Sequence, residues 1–186
     1  MSNRSLDEAL AFQCAPALVG VKPANLMSCD MRAYPELEQA VKQLNEKLNC
    51  RALYFRILCR CEGRILLLVY REPVLRKHLC RQEVRDFLKQ RAYPEGFEET
   101  LSCFAERLSR QDTFPHEAGV ILGYPVEDVE GFLKHAGKNC KLCGFWKVYG
   151  DPGKAAILFR RFAQCREKVC LMVKNGKSIE EIFHAA

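Results

Sequence analysis

"FPHEAGVILGYPVEDVEGFLKHAGKNCKLCGFWKVYGD", residues 114–151, decides how this chain is read. Two apolar runs of strand length, "EAGVIL" and "GFWKVYG", flank a segment with helical punctuation. Pro125 opens that segment, Glu127 and Asp128 put negative charge in its first turn where the helix dipole favours it, and Gly137 supplies the stop. Val126, Val129, Phe132 and Leu133 fall on one face. Strand, helix and strand in that order predict a β-α-β unit with parallel strands and a right-handed crossover.

Upstream, Leu53, Phe55, Ile57, Cys59 and Cys61 alternate with Tyr54, Arg56, Leu58 and Arg60, the pattern of a strand with one dry face. Glu62 and Gly63 separate it from "RILLLVYR". Residues 53–71 therefore predict a β-hairpin whose second strand, apolar on both faces, sits centrally.

Helices are expected at residues 6–15, ended by Pro16, and after Pro35 on the spacing Leu37, Val41, Leu44, Leu48. Others are expected at 73–79, 82–91 and 97–108. A long C-terminal helix places Ala155, Leu158, Phe162, Cys165, Val169 and Met172 on one stripe and closes at Asn175 and Gly176, and Ser178 with Glu181 caps a last short helix. "VGVKPANLMSCD", residues 19–30, reads as a loop. The expected fold is one domain over residues 1–186, α/β or α+β, with a small mixed sheet made of the hairpin and the β-α-β unit and covered by helices.

Composition limits the function. Hydrophobic residues at 48% and charged residues at 28% exclude a disordered chain, and the longest apolar run, "ILLLVY", is too short to cross a bilayer. "ALAFQCAPALVGV" has the apolar content of a signal peptide, but Asp7 and Glu8 stand where basic residues are needed and Gln13 and Pro16 interrupt the run. Eleven cysteines without regular spacing fit the cytosol, where thiols stay reduced and pack as small hydrophobes. The net charge of +6 is a mild basic bias. Part of it lies in residues 71–91, where Arg71, Arg76, Lys77, Arg81, Arg85, Lys89 and Arg91 outnumber Glu72, Glu83 and Asp86. That pattern is a solvated helix face or, as the alternative, the surface of a nucleic-acid or protein adaptor.

Several residues bear chemistry. Cys140 and Cys143 form a C-x2-C, and Cys165 with Cys170 a later C-x4-C. The second pair diverges on its helix, so a tetrahedral site does not assemble, and no metal is expected. A thiol nucleophile, Cys14 or Cys140, could be activated by His116 and oriented by Glu117 or Asp151. The strand "GFWKVYG" places Phe145, Lys147 and Tyr149 on one face and Trp146 with Val148 on the other. A lysine between two rings suits a flat anionic ligand. With parallel strands, "LGYP" and "VYGD" lie side by side, bringing Gly123, Tyr124, Lys147, Tyr149 and Asp151 to one edge, while His116 lies about 20 Å away at the far end of its strand.

The blocks "FPHEAGVILGYPVEDVEGF" and "GFWKVYGD", with "CAPALVGVKPANL" near the start, resemble a family of bacterial proteins common in anaerobes, domain of unknown function 3793. The resemblance covers nearly the whole chain. It implies an association with flavodoxins and iron uptake, and it marks His116, Glu117, Gly123, Tyr124, Pro125, Trp146, Lys147 and Tyr149 without giving them roles. Three readings stand: a cytosolic binding module for a flat anionic cofactor or metabolite, or for a redox partner protein; an enzyme, thiol-dependent or not, using the same pocket; and a basic adaptor. No cofactor is identified.

Overall fold

The computed structural model describes residues 4–110 and 114–184. Helix α1 (Leu6–Leu18) opens on a capping box in which Ser5 and Glu8 satisfy each other's backbone N–H groups. It runs through Pro16 to Leu18 instead of ending there, at the loss of one i→i−4 bond, and the Pro16 carbonyl accepts from Val21 N at 2.9 Å and Lys22 N at 3.0 Å. The next residues, expected as a loop, form strand β1 (Ala24–Asp30). After α2 (Leu37–Leu48) come β2 (Leu53–Cys61) and β3 (Arg64–Arg71), the expected hairpin.

The sheet order is β1-β3-β2, antiparallel throughout, so β3 is central, as its two apolar faces require. A bulge at Leu58 shifts the register between Ile57 and Cys59, turning Cys59 to the face opposite Ile57. The alternation expected for β2 therefore holds only up to the bulge.

Helices cover both faces. On one, Met27, Cys29, Phe55, Leu67 and Val69 pack under α1 and α2. Behind these lie α8 (Pro152–Lys174), which runs along α1, and α9 (Ile179–His184), opened by the expected Ser178 and Glu181 box. On the other face, Leu58, Leu68 and Tyr70 meet α3 (Glu72–Leu79), α4 (Gln82–Lys89) and α5 (Phe97–Arg110). Each buried Leu or Phe contributes about 1.5–3 kcal/mol. The fold is α+β, a small sheet between helices.

The β-α-β unit does not form. "EAGVIL" is a single helical turn, α6 (Ala118–Ile121), followed by α7 (Val126–His135). "GFWKVYG" contributes only β5 (Lys147–Val148), antiparallel to β4 (Leu142–Cys143) in a separate two-stranded ribbon. Pro115 and Gly123 bracket the turn: Ala118 N donates to the Pro115 carbonyl at 3.0 Å, and Tyr124 N donates back to the Gly119 carbonyl at 2.8 Å with Gly123 at φ 89. That closure is the glycine-dependent end of a helix, and it takes up the backbone groups a strand would have offered to a neighbour.

Candidate functional site

The two sequence blocks that flank α7 are locked to each other, and Asp128 is the centre of the lock. Its carboxylate, 3% exposed, accepts from Trp146 Nε1 at 2.7 Å, Tyr149 N at 2.7 Å and Gly150 N at 2.8 Å. Three neutral donors thus hold a buried carboxyl group that makes no ion pair among the described residues. Glycines let the pieces meet: a Cβ on Gly131 would strike the Tyr149 ring, one on Gly150 the Glu127 carboxylate, and one on Gly119 would stand 2.9 Å from Tyr124. The ring of Tyr124 stacks on Trp146 at 4.8 Å, and Trp146 meets Phe159 of α8 edge-on at 4.5 Å.

This lock carries the ribbon and α7 past the open part of the sheet and leaves a cleft of about 630 Å³. Its floor is Leu26 and Ser28 of β1 with Leu66 of β3. Gly119, Leu122, Tyr124, Val129 and Phe132 form one wall, and Phe114, His116, Phe145, Trp146 and Lys147 complete it. The lining is mostly apolar with a few polar groups. Lys147 Nζ donates to the Gly137 carbonyl at 2.7 Å and lies 5.9 Å from the centre of the Phe132 ring, against which His116 also packs at 5.0 Å. Arg64 Nε donates to Ser28 Oγ at 2.6 Å from the sheet side. The one carboxylate among the described lining residues is Asp128, already engaged. The cleft therefore faces its contents with aromatic rings and one cation, Lys147.

The expected site residues separate accordingly. Tyr124, Lys147 and His116 share the cleft, against the expectation of about 20 Å between histidine and tyrosine, because the intervening residues coil. Trp146 and Lys147 both reach the cleft rather than opposite faces, since strand geometry lasts only two residues there. Tyr149 is absent from it, its ring lying over Gly131 and stacked on His135 at 5.7 Å, with a buried hydroxyl that has no partner among the described residues. Gly123 faces Pro23, and Asp151 caps α8, accepting from Gly153 N at 2.9 Å and Lys154 N at 3.1 Å. Glu117 pairs with Arg107 at 2.9 Å and does not line the cleft, although it borders a shallow surface depression with His116.

Cys14 lies in the core under the other face of the sheet, fully buried, its thiol pushed up to about 12 by burial. It is neither ionised nor near His116, and no cysteine is among the described residues lining the cleft. Cys140 and Cys143 flank the start of the ribbon, half-buried and exposed. No group of three His, Cys, Asp or Glu side chains among the described residues is placed to hold a metal.

Sequence reasoning missed Leu26, Ser28 and Phe132 as cleft residues, and Asp128 as the lock. It also missed Lys22. That side chain is 5% exposed, lies 5.1 Å from the centre of the Tyr124 ring, and is pushed down to about 8 by burial against an opposing pull from Cys14. In the sequence Asp128 reads only as first-turn helix charge, which gives no sign of the buried acceptor it becomes.

No curated protein and no solved structure matches the chain. Its family is nevertheless defined, for a family model matches residues 10–183, and the chain belongs to the family described as Protein of unknown function (DUF3793).

Proposed function

We propose that the cleft between β1 and the ribbon binds a flat, largely apolar small molecule bearing one anionic group, and that the protein is a binding module. The supporting observation is the lining: Tyr124, Phe132, Phe145 and Trp146 supply ring surface, while Lys147 and His116 stand on the same ring, Phe132. Lys147 keeps two ammonium protons beyond the one given to Gly137, enough to meet a carboxylate, sulfonate or phosphate. The thiol-enzyme reading lacks a cysteine among the described residues that line the cleft.

The adaptor reading is weakened by internal engagement of the basic face. Arg71 donates to the Leu18 and Arg51 carbonyls, Arg76 pairs with Glu72, Arg81 pairs with Glu83, and Arg91 donates to the Phe87 carbonyl. Among the described residues no helix is long and apolar enough to cross a membrane.

Anilinonaphthalene sulfonate, flat, apolar and anionic, is a suitable test ligand, and the single tryptophan, Trp146, reports from inside the cleft. One equivalent should bind with energy transfer from Trp146 and should raise the melting temperature, which separates native binding from dye on partly unfolded protein. Lys147→Ala should weaken it roughly tenfold, the worth of one charge-assisted contact. Absence of saturable binding, or binding indifferent to Lys147, would overturn the reading. The visible absorbance of freshly purified protein tests for a coloured cofactor, the form a redox or iron link would take.

A further inference from the structure

The longest helix has a face that neither the core nor the cleft uses. α8 carries Lys154, Arg160, Arg161, Arg166, Lys168 and Lys174 against one acid, Glu167. Among the described residues the only ion pair these cations make is Lys154 with Asp151, at 3.7 Å. Their arrangement is periodic. Lys154, Arg161 and Lys168 recur every seven residues, and Ile157, Gln164 and Leu171 do the same three residues later. Ile157 and Leu171 are 52% and 59% exposed. Positions three and four apart share a helix face, so these six form one solvent-facing stripe about 25 Å long.

At its C-terminal end the stripe meets a groove of about 530 Å³ between α8 and α1, with Phe12, Leu171 and Val173 among its walls. The Arg166 guanidinium borders it, 4.6 Å from the centre of the Phe12 ring and 5.0 Å from that of Phe145, and its buried Nε has no hydrogen-bond partner among the described residues.

We infer that this face docks an acidic amphipathic helix from a partner protein. Carboxylates of that helix meet Lys154, Arg161 and Lys168, its apolar side chains cover Ile157 and Leu171, and one of them seats in the groove beside Arg166. Charge complementarity selects an acidic partner. The seven-residue repeat selects a helix, since that period keeps one seam of two helices in contact. Exposed aliphatics inside the cationic stripe disfavour nucleic acid, whose phosphates would leave Ile157 and Leu171 unmatched. A lipid surface is disfavoured too, because the apolar side of α8 is already committed to α1 and the core.

The test uses the full chain and a synthetic peptide of three heptads with glutamate and leucine at the complementary positions, beside a scrambled peptide of equal composition. Amide NMR of the unaltered protein should show saturable, roughly micromolar binding, with shifts confined to α8 and the Phe12 region. Binding should weaken with added salt, and by about tenfold or more in Arg161→Glu/Lys168→Glu and in Leu171→Ser, changes at solvent-exposed positions that leave the thermal melt in place. Equal binding by the scrambled peptide, no saturable binding by the designed one, or tighter binding of a DNA duplex or of acidic lipid vesicles to the same face would each overturn the inference.

Discussion

The two faces of the sheet are covered by different means. Under α1 and α2 the cover is continuous and apolar: Met27, Phe55, Leu67 and Val69 are each at most 2% exposed, packed by side chains that repeat with strand or helix period. Across the β1 side of the other face the cover is an arch of two short helices, α6 and α7, and the two-stranded ribbon, pinned by one carboxylate and several close-approach glycines, and it leaves the cleft beneath it. Apolar periodicity makes a sealed layer. Directional polar contacts hold a layer in place without filling the space below it, which is what a binding site needs.

The largest effect expected from breaking this contrast is at Asp128. Asp128→Ala strands the Trp146 indole N–H and the backbone N–H groups of Tyr149 and Gly150. Denaturant unfolding should show a loss of about 3–5 kcal/mol. Asp128→Asn, which keeps one acceptor, should lose less. A change within error in both variants would mean the arch is held by packing alone.

Leu67→Ala, in the sealed face, should cost about 2–5 kcal/mol while leaving dye binding per folded molecule unaltered. Lost dye affinity in this variant would show that the two faces are not separable.

Lys22 sharpens the comparison through pH. Its folded pKa of about 8 lies below the ordinary lysine value, so between pH 8 and the unfolded value of 10.5 the unfolded chain binds the extra proton and stability rises with pH. Below pH 8 the lysine is charged in both states and its burial imposes a constant cost of order 3 kcal/mol. Cys14, pushed up to about 12, works in the opposite sense above its unfolded value of 9.0, so the comparison must be with a variant rather than with wild type alone. Lys22→Met should be more stable than wild type at neutral pH, and the gap should close as pH rises through that window. A gap independent of pH would contradict a charged, buried Lys22.

The smallest stability effect is expected at Lys147. Lys147→Ala removes one exposed donor to the Gly137 carbonyl and should cost about 1 kcal/mol or less by thermal unfolding, while reducing dye affinity. A large loss of stability would make it chiefly a helix-end support.

What could be read from sequence follows the same division. The hairpin of β2 and β3, the helices α2 to α5 and α8, and the capped α9 were legible because each announces its period and its ends. β1 was not, since Pro23, Asn25 and Ser28 look like loop residues and its partner β3 lies far along the chain. "EAGVIL" reads as a strand because a short apolar run fits a strand or a helical turn equally well, and the backbone closure from Pro115 to Gly123 that makes it a turn is not visible in the run itself. That single difference brings His116 to the cleft beside Tyr124 and leaves Tyr149 and Asp151 outside its lining. Lys147, singled out by its neighbours in sequence, lines the cleft from β5, with its ammonium on the Gly137 carbonyl beyond the end of α7 and not between Phe145 and Tyr149.

The central claim is that the space under the arch is a ligand site, and Ser28→Phe addresses it most directly by adding a ring to the cleft floor on a half-buried strand position. Titration of anilinonaphthalene sulfonate into this variant, with its thermal melt recorded alongside, should show an unchanged melting temperature and lost or at least roughly tenfold weaker binding. Undiminished binding by the folded variant would contradict the assignment of the cleft.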